Sequence, residues 1–329
     1  MRPRLKDGNG AFGAPIKAIF PGKAGFAPVT SGWYDVAMAI ELLSGSQLER
    51  MRASCSLAAQ CLVMVGERIR AGITTDTIND WVHAFCEEND AYPAPLGYGG
   101  GGGRAPFPKS VCTSINACVC HGIPDGTVLK DGDIVNVDVT TILPKERGFF
   151  GDTSVTFYIG EPSDEAKLVV ETARRSLEVG LEQVKHKARI WDIGTAIQEY
   201  AEGQGCSVVR DYVGHGVGRK FHMPPQIPHY KPNKRVGLLE GLTNRRMREG
   251  MVFTIEPMVN IGAYETELLD DQWTVLTADR SLSAQFEHTV LVTRSGCEVL
   301  TRRPAVVKHS EDLPWSQPGR LSSPAAFAA

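Results

Sequence analysis

Apolar positions along this chain follow two periods. Between Gln47 and Arg70, good helix formers set Leu48, Met51, Cys55, Leu62, Val65 and Ile69 roughly on one face, which predicts a helix starting near Ser46. Thr75–Glu88 predicts a second helix, and residues 163–186 and 190–204 predict two more. Strand-like runs fill residues 133–142 and 151–159, and the last third alternates apolar strands with loops up to Leu300. Residues 95–108 read as a loop centred on the glycines Gly99–Gly103. Residues 303–329, with Pro304, Pro314, Pro318 and Pro324, read as a loose tail.

The pattern repeats. Leu129-Lys-Asp-Gly-Asp-Ile-Val-Asn-Val-Asp138 lines up with Met247-Arg-Glu-Gly-Met-Val-Phe-Thr-Ile-Glu256, so Asp138 matches Glu256. At nearly the same offset Gly97-Tyr98-Gly99 matches Gly214-His215-Gly216, and a helix pair precedes each copy. Two pseudo-symmetric halves, each with two helices feeding an antiparallel sheet, predict an α+β fold with a central cavity between the halves.

Composition bounds the rest. The chain has 329 residues, 42% hydrophobic and 22% charged, enough for a sizeable core. A net charge of −3 speaks against broad electrostatic binding to nucleic acid. The longest apolar stretches, such as Ala58–Val65, are too short to span a membrane. The eight cysteines form no CxxC pair, and Cys118-Val-Cys120-His121 lacks a second ligand pair at zinc spacing. Buried reduced thiols in a cytoplasmic protein are therefore expected. Residues 1–34 hold Arg2, Arg4, Lys6, Lys17 and Lys23 against one acid, Asp7, and are rich in Gly, Pro and Ala. They read as a flexible basic arm within an N-terminal extension, residues 1–45, ahead of a catalytic unit at 46–302 and the tail at 303–329.

The chemistry lies in five side chains: Asp138, Asp152, His215, Glu256 and Glu287. Each sits in a short apolar segment: Val135–Thr140, Gly151–Phe157, Tyr212–Gly218, Val252–Val259 and Gln285–Val292. Any one of these acids alone would be read as facing solvent. Four together in one cavity would raise one another's pKa, and burying them ionised is costly unless they are paired or metal-bound. Two divalent cations match their charge, and such a pair activates water for hydrolysis. The glycines of Gly214-His-Gly-Val-Gly218 let backbone approach the cavity; the segment lacks the Gly-Lys-Ser/Thr ending of a phosphate loop.

Around these five residues the chain resembles the type I methionine aminopeptidases. The resemblance rests on Val119-Cys-His-Gly-Ile-Pro124, Asn136-Val-Asp-Val-Thr140, Gly151-Asp-Thr-Ser154, Gly214-His-Gly-Val-Gly-Arg219, Phe221-His222, Phe253-Thr-Ile-Glu-Pro-Met258 and Ser283-Ala-Gln-Phe-Glu-His288. These run in order over about residues 46–302. The resemblance implies the pita-bread fold and removal of the initiator methionine from nascent proteins whose second residue is small. It implies two divalent metal ions: Asp138 chelates one, His215 and Glu256 hold the other, and Asp152 and Glu287 bridge them. Mixed carboxylate and imidazole ligands suit Co, Mn, Fe and Zn alike. The resemblance implies that a metal-activated water would attack the scissile carbonyl, with Glu256 shuttling its proton, His222 stabilising the oxyanion and His121 placing the scissile amide. The resemblance places Tyr98, Phe107, Cys112, Phe221 and Trp273 around the methionine side chain. A monovalent cation would use Asn136, Val139 and Ser283.

The chain departs from the family pattern at three places. Pro95 stands where a cysteine is expected, the Gly99–Pro106 loop is longer, and a second insertion lies near Arg235–Arg246. An alternative is another pita-bread peptidase, an Xaa-Pro aminopeptidase or dipeptidase, but those carry a large N-terminal domain. A catalytically dead relative would have lost ligands, and all five are present. The expected partners are N-terminal methionine peptides and nascent chains. The basic arm is expected to touch ribosomal RNA transiently, and the chain is expected to be a monomer.

Overall fold

A computed structural model describes residues 40–101, 104–239 and 241–303. Helix α1 (Ser46–Gly66) and helix α2 (Thr75–Glu88) come first, followed by strands β1 (Tyr92–Pro93), β2 (Cys112–Ile115) and β3 (Cys118–Cys120). The ten-residue strands β4 (Ile134–Leu143) and β5 (Phe149–Tyr158) form a long hairpin. Helices α3 (Asp164–Leu181) and α4 (Ile190–Gly203) open the second half. Then come β6 (Ser207–Val208), β7 (Gly214–Gly216), β8 (Met223–Ile227), the short helix α5 (Lys234–Leu239) and β9 (Val252–Ile255). Strands β10 (Met258–Asn260), β11 (Thr266–Leu268), β12 (Val275–Thr277), β13 (Ser283–Gln285), β14 (His288–Val292) and β15 (Cys297–Val299) complete the described chain.

All strand pairings are antiparallel. One sheet runs β1-β4-β2 with β5 also on β4, and a five-stranded sheet runs β15-β14-β9-β7-β8. Two three-stranded sheets, β13-β10-β6 and β11-β12-β3, complete the set. The expected α+β class and helix pairs are present. Helix α2 starts where a capping threonine predicts, since Thr74 Oγ1 accepts from the Thr77 amide (3.2 Å). Ser163 caps α3 the same way through the Ala166 amide (3.1 Å).

Helix α1 buries Met51, Cys55, Ala58, Leu62 and Val65 against β4 and β5. Their backbones come closest at Gly151, where a Cβ would lie 2.4 Å from the Ser54 carbonyl group. Ser54 Oγ donates to the Phe149 carbonyl (2.8 Å) at this contact. Helix α3 covers β9, β10 and β13 in the same manner. One apolar core joins Leu62 and Val155 of the first half to Val170, Phe253 and Val290 of the second. The site therefore sits on a surface that both halves hold rigid.

Two expected strands are each broken. Val252–Val259 splits at Glu256-Pro257, and Gln285–Val292 splits at Phe286-Glu287. On one side of the break β9 pairs with β14, placing Ile255 opposite His288. On the other side β10 pairs with β13, placing Met258 opposite Gln285. Both chains thus pass from one sheet to another at the same level, and each carries an acid through the gap.

Candidate metal centre and peptide pocket

The β4–β5 register sets Asp138 opposite Ser154 and Thr140 opposite Asp152, so Asp138 and Asp152 share a face two residues apart. Thr140 Oγ1 donates to Asp152 Oδ1 (2.6 Å). Glu256 and Glu287 enter from the sheet crossover, and His215 enters from β7. Ligand atoms of Asp152, His215 and Glu287 lie within 4.8 Å of one another. His215 Nε2 is 3.6 Å from Asp152 Oδ2 and 3.5 Å from Glu256 Oε1. Asp138 joins through its field: its charge raises the pKa of Glu256 and of Glu287.

Burial dominates the electrostatics. It pushes Asp152 up to about 7, against the pull of the Thr140 hydrogen bond. Burial, with the neighbouring acids, holds Asp138, Glu256 and Glu287 well above the carboxylate range. Asp138 Oδ1 is buried with no hydrogen-bond partner among the described residues. An orphaned acceptor among clustered acids and a buried imidazole is a donor set that fits a divalent cation.

Three residues beyond the expected set hold Glu256. Thr254 Oγ1 donates to Glu256 Oε1 (2.7 Å) and accepts from the His215 amide (2.9 Å). Gln285 Nε2 donates to Glu256 Oε2 (3.3 Å). The Glu256 amide donates to Nε2 of the fully buried His229 (3.1 Å). Thr254 was within reach of sequence reasoning, because it stands two residues from Glu256 and alternate strand residues share a face. His229 carries no local signal of its role.

His222 packs against His215, and His121, whose ring meets Tyr212 edge to face at 5.6 Å, lies within the field of His215. Burial, reinforced by Arg104 and His215, lowers His121 to about 4. The residue also adopts a left-handed backbone (φ 56°), a strained position for a side chain other than glycine. The His222 ring centroid lies 4.2 Å from that of His215. The residue keeps an exposed edge, yet the protein packed around the ring, with His215 and His121 beside it, holds its pKa well below the usual value. Both imidazoles are neutral at neutral pH.

The expected pocket residues form two groups. Phe107, Cys112 and Trp273 pack together with Ile123, the Phe107 and Trp273 rings meeting edge to face at 5.2 Å. Tyr98 packs edge to face on Phe221 at 4.9 Å. The glycine loop joins the groups: Gly99 lies so close to Trp273 that a Cβ there would fall 2.6 Å from the indole. Trp273 Nε1 donates to the Ala105 carbonyl (3.1 Å), and the Arg104 guanidinium lies 3.3 Å from the indole centroid. The loop's neck is a hairpin closed by Gly97 and Phe107.

Of the expected monovalent-cation residues, Asn136 spends its amide on the Gln285 carbonyl (2.8 Å). Ser283 Oγ has no hydrogen-bond partner among the described residues, and Val139 is a buried β4 residue. All eight cysteines are free thiols. No described helix is long and apolar enough to cross a membrane.

Residues 49–294 match the model of metallopeptidase family M24, and the chain belongs to that family. Within it, the likeness is to methionine aminopeptidases. Methionine aminopeptidase A of Synechocystis sp. is 50% identical over 264 residues, covering 80% of this chain and 97% of that relative. A crystal structure of methionine aminopeptidase from Rickettsia prowazekii superposes with a TM-score of 0.73 at 45% identity, covering 80% of this chain and all of that one. The pita-bread fold expected from the sequence is the fold of these neighbours. A prolidase from Pyrococcus horikoshii, at 18% identity and a TM-score of 0.61, shares the fold alone.

Proposed function

We propose that the chain removes the N-terminal methionine from peptides and nascent proteins whose second residue is small. The observation that carries this reading is the likeness, at about half identity over nearly their whole length, to relatives named methionine aminopeptidase. The joined apolar groups around Trp273 and Phe221 support it, since an aromatic pocket with a buried thiol suits a thioether side chain.

Asp138, Asp152, His215, Glu256 and Glu287 would hold two divalent cations, of Co, Mn, Fe or Zn. When bound, such cations supply Lewis acidity that activates water and polarises a carbonyl. The remaining steps belong to side chains. Glu256, held by Thr254 and Gln285, accepts a proton from the attacking water. A carbon–oxygen bond forms at the scissile carbonyl, the carbon–nitrogen bond breaks, and Glu256 passes the proton to the leaving amine. His222 donates to the carbonyl oxygen as negative charge develops there. His121, neutral and fixed by its strained backbone, places the scissile amide. Tyr98, Phe107, Cys112, Phe221 and Trp273 hold the methionine side chain, and Asn136, Val139 and Ser283 would take a monovalent cation.

The chain is read as a cytoplasmic monomer, and its buried free thiols fit a reducing compartment. The expected ribosome contact falls on residues 1–34, outside the described residues; deleting them should reduce salt-sensitive co-sedimentation with ribosomes. The deciding experiment is release of methionine from a Met-Gly-Ser peptide by metal-loaded protein, across a metal series. A peptide with a bulky second residue should be spared. Cleavage of Xaa-Pro peptides with Met-Gly-Ser untouched would favour the distant relatives' chemistry instead.

A further inference from the structure

Asp152 and Glu287 stand on segments from different halves, and a single arginine fastens those segments from behind. Arg303 Nη2 donates to Thr153 Oγ1 (3.2 Å) and to the Ser154 carbonyl (3.0 Å), on the two residues that directly follow Asp152. Thr153 Oγ1 passes the contact on by donating to the Glu287 carbonyl (2.8 Å). The Ser154 carbonyl also accepts from the Glu287 amide (3.1 Å). One guanidinium thus ties together the main chain behind both acids.

The segment carrying Arg303 is itself anchored. The Leu300 amide donates to the Thr289 carbonyl (2.9 Å), and Thr301 Oγ1 accepts from the Thr289 amide (3.2 Å). Thr289 Oγ1 in turn donates to the Asp152 carbonyl (2.8 Å). Residues 300–303 therefore form a strap across the back of the acid cluster. Burial lowers Arg303 to about 9 while Glu287 pulls it up, so it is a cation at neutral pH. The unit read from the sequence ends at residue 302, one position short of this group.

We propose that Arg303 is a positioning residue that fixes the spacing between Asp152 and Glu287. The inference rests on the reading of these two acids as bridging ligands. Arg303 acts through Thr153, Ser154 and the Glu287 main chain. A purely structural arginine would alter stability alone. A positioning arginine alters how tightly and in what number the cluster takes up cations, because a small error in ligand spacing is felt directly in coordination.

The test uses the full chain. Binding of Mn²⁺ alone is followed by calorimetry for wild type, R303A, R303K and T153V, alongside kcat and KM on Met-Gly-Ser. R303A should weaken Mn²⁺ binding by about ten- to a hundred-fold, lower kcat and leave KM near the wild-type value. R303K, which keeps a cationic donor, should recover most of the loss. T153V removes the relay to Glu287 and keeps the strand, so it should shift affinity in the same direction by less. If R303A does not fold, R303K and T153V decide the matter. Wild-type affinity and kcat in T153V, and in R303A where it folds, would overturn the proposal. Failure of the wild-type chain to bind Mn²⁺ would strike the metal-site reading instead.

Discussion

Tyr98 Oη lies 2.6 Å from His222 Nδ1, so a residue of the glycine-rich loop controls a histidine of the cavity. Desolvation by the surrounding protein, with His215 and His121 opposing its charge, keeps His222 neutral. A neutral imidazole that accepts at Nδ1 carries its proton on Nε2. With the tyrosine hydroxyl as donor, the N–H that His222 offers in the proposed reaction is the one on Nε2. The glycine-rich loop places this hydroxyl against the imidazole.

Tyr98→Phe removes the hydroxyl and keeps the ring packed on Phe221. Loss of one hydrogen bond of about 1 kcal/mol should lower kcat by about five-fold with little change in KM. Steady-state kinetics on Met-Gly-Ser check this. An unchanged kcat would mean that His222 finds its tautomer without help.

Glu256→Ala should lower kcat by about 10²- to 10⁴-fold, the range for a proton-transferring group. It should also weaken metal binding. Thr254→Val, which frees one Glu256 oxygen, should show a smaller loss in kcat. Turnover equal to wild type in the alanine variant would remove Glu256 from the proposed role.

Metal removal should make stability depend on pH with a definite sign. Burial lifts Asp152 from the ordinary carboxylate range to about 7 in the folded chain, and it raises the other three acids as well. The folded state therefore holds more protons than the unfolded state, and stability falls as pH rises through the folded values. The buried histidines oppose this below the ordinary imidazole pKa of about 6.5, where the unfolded chain takes up the extra protons. Between about pH 6.5 and about pH 8 only the acids count, so the melting temperature of chelated protein should fall. Saturating metal should raise it, most at the upper end. Thermal melts of chelated and loaded protein test the sign directly; a chelated protein that gains stability over that interval would contradict it.

Gly151→Ala should cost stability at the upper end of about 1–3 kcal/mol, because the new Cβ meets the Ser54 and Cys55 backbone. A rigid backbone cannot yield as a side-chain tip would. Urea denaturation measures the loss. Activity per folded molecule should also drop, since Asp152 is the next residue.

The helices were legible because their apolar stripes and caps are local. Thr75–Glu88 matches its expected bounds, and α4 ends one residue before the expected limit. Helix α1 ends at Gly66, before the expected Arg70, and α3 ends at Leu181 rather than 186. The broken strands were not legible. An alternating apolar pattern reads the same whether a strand stays in one sheet or passes to the next. Pro257, which lacks an amide for a ladder, was the one local cue to the first break. Arg303 was hidden for a similar reason: next to Pro304, it looked like the start of the tail. Its partners lie about 150 residues away, and no spacing rule reaches that far.

The gap where β9 gives way to β10 beside β13 and β14 also sets when a newly made copy can work. Asp138 and Asp152 belong to a hairpin that closes early, yet they gain Glu287 only after β13 and β14 are threaded against β9 and β10. A chain cut anywhere before that crossover holds fragments of a site and no enzyme. Peptidase activity is thus a signal that synthesis of the chain has reached its last strands, and proteolytic remnants of it should be inert.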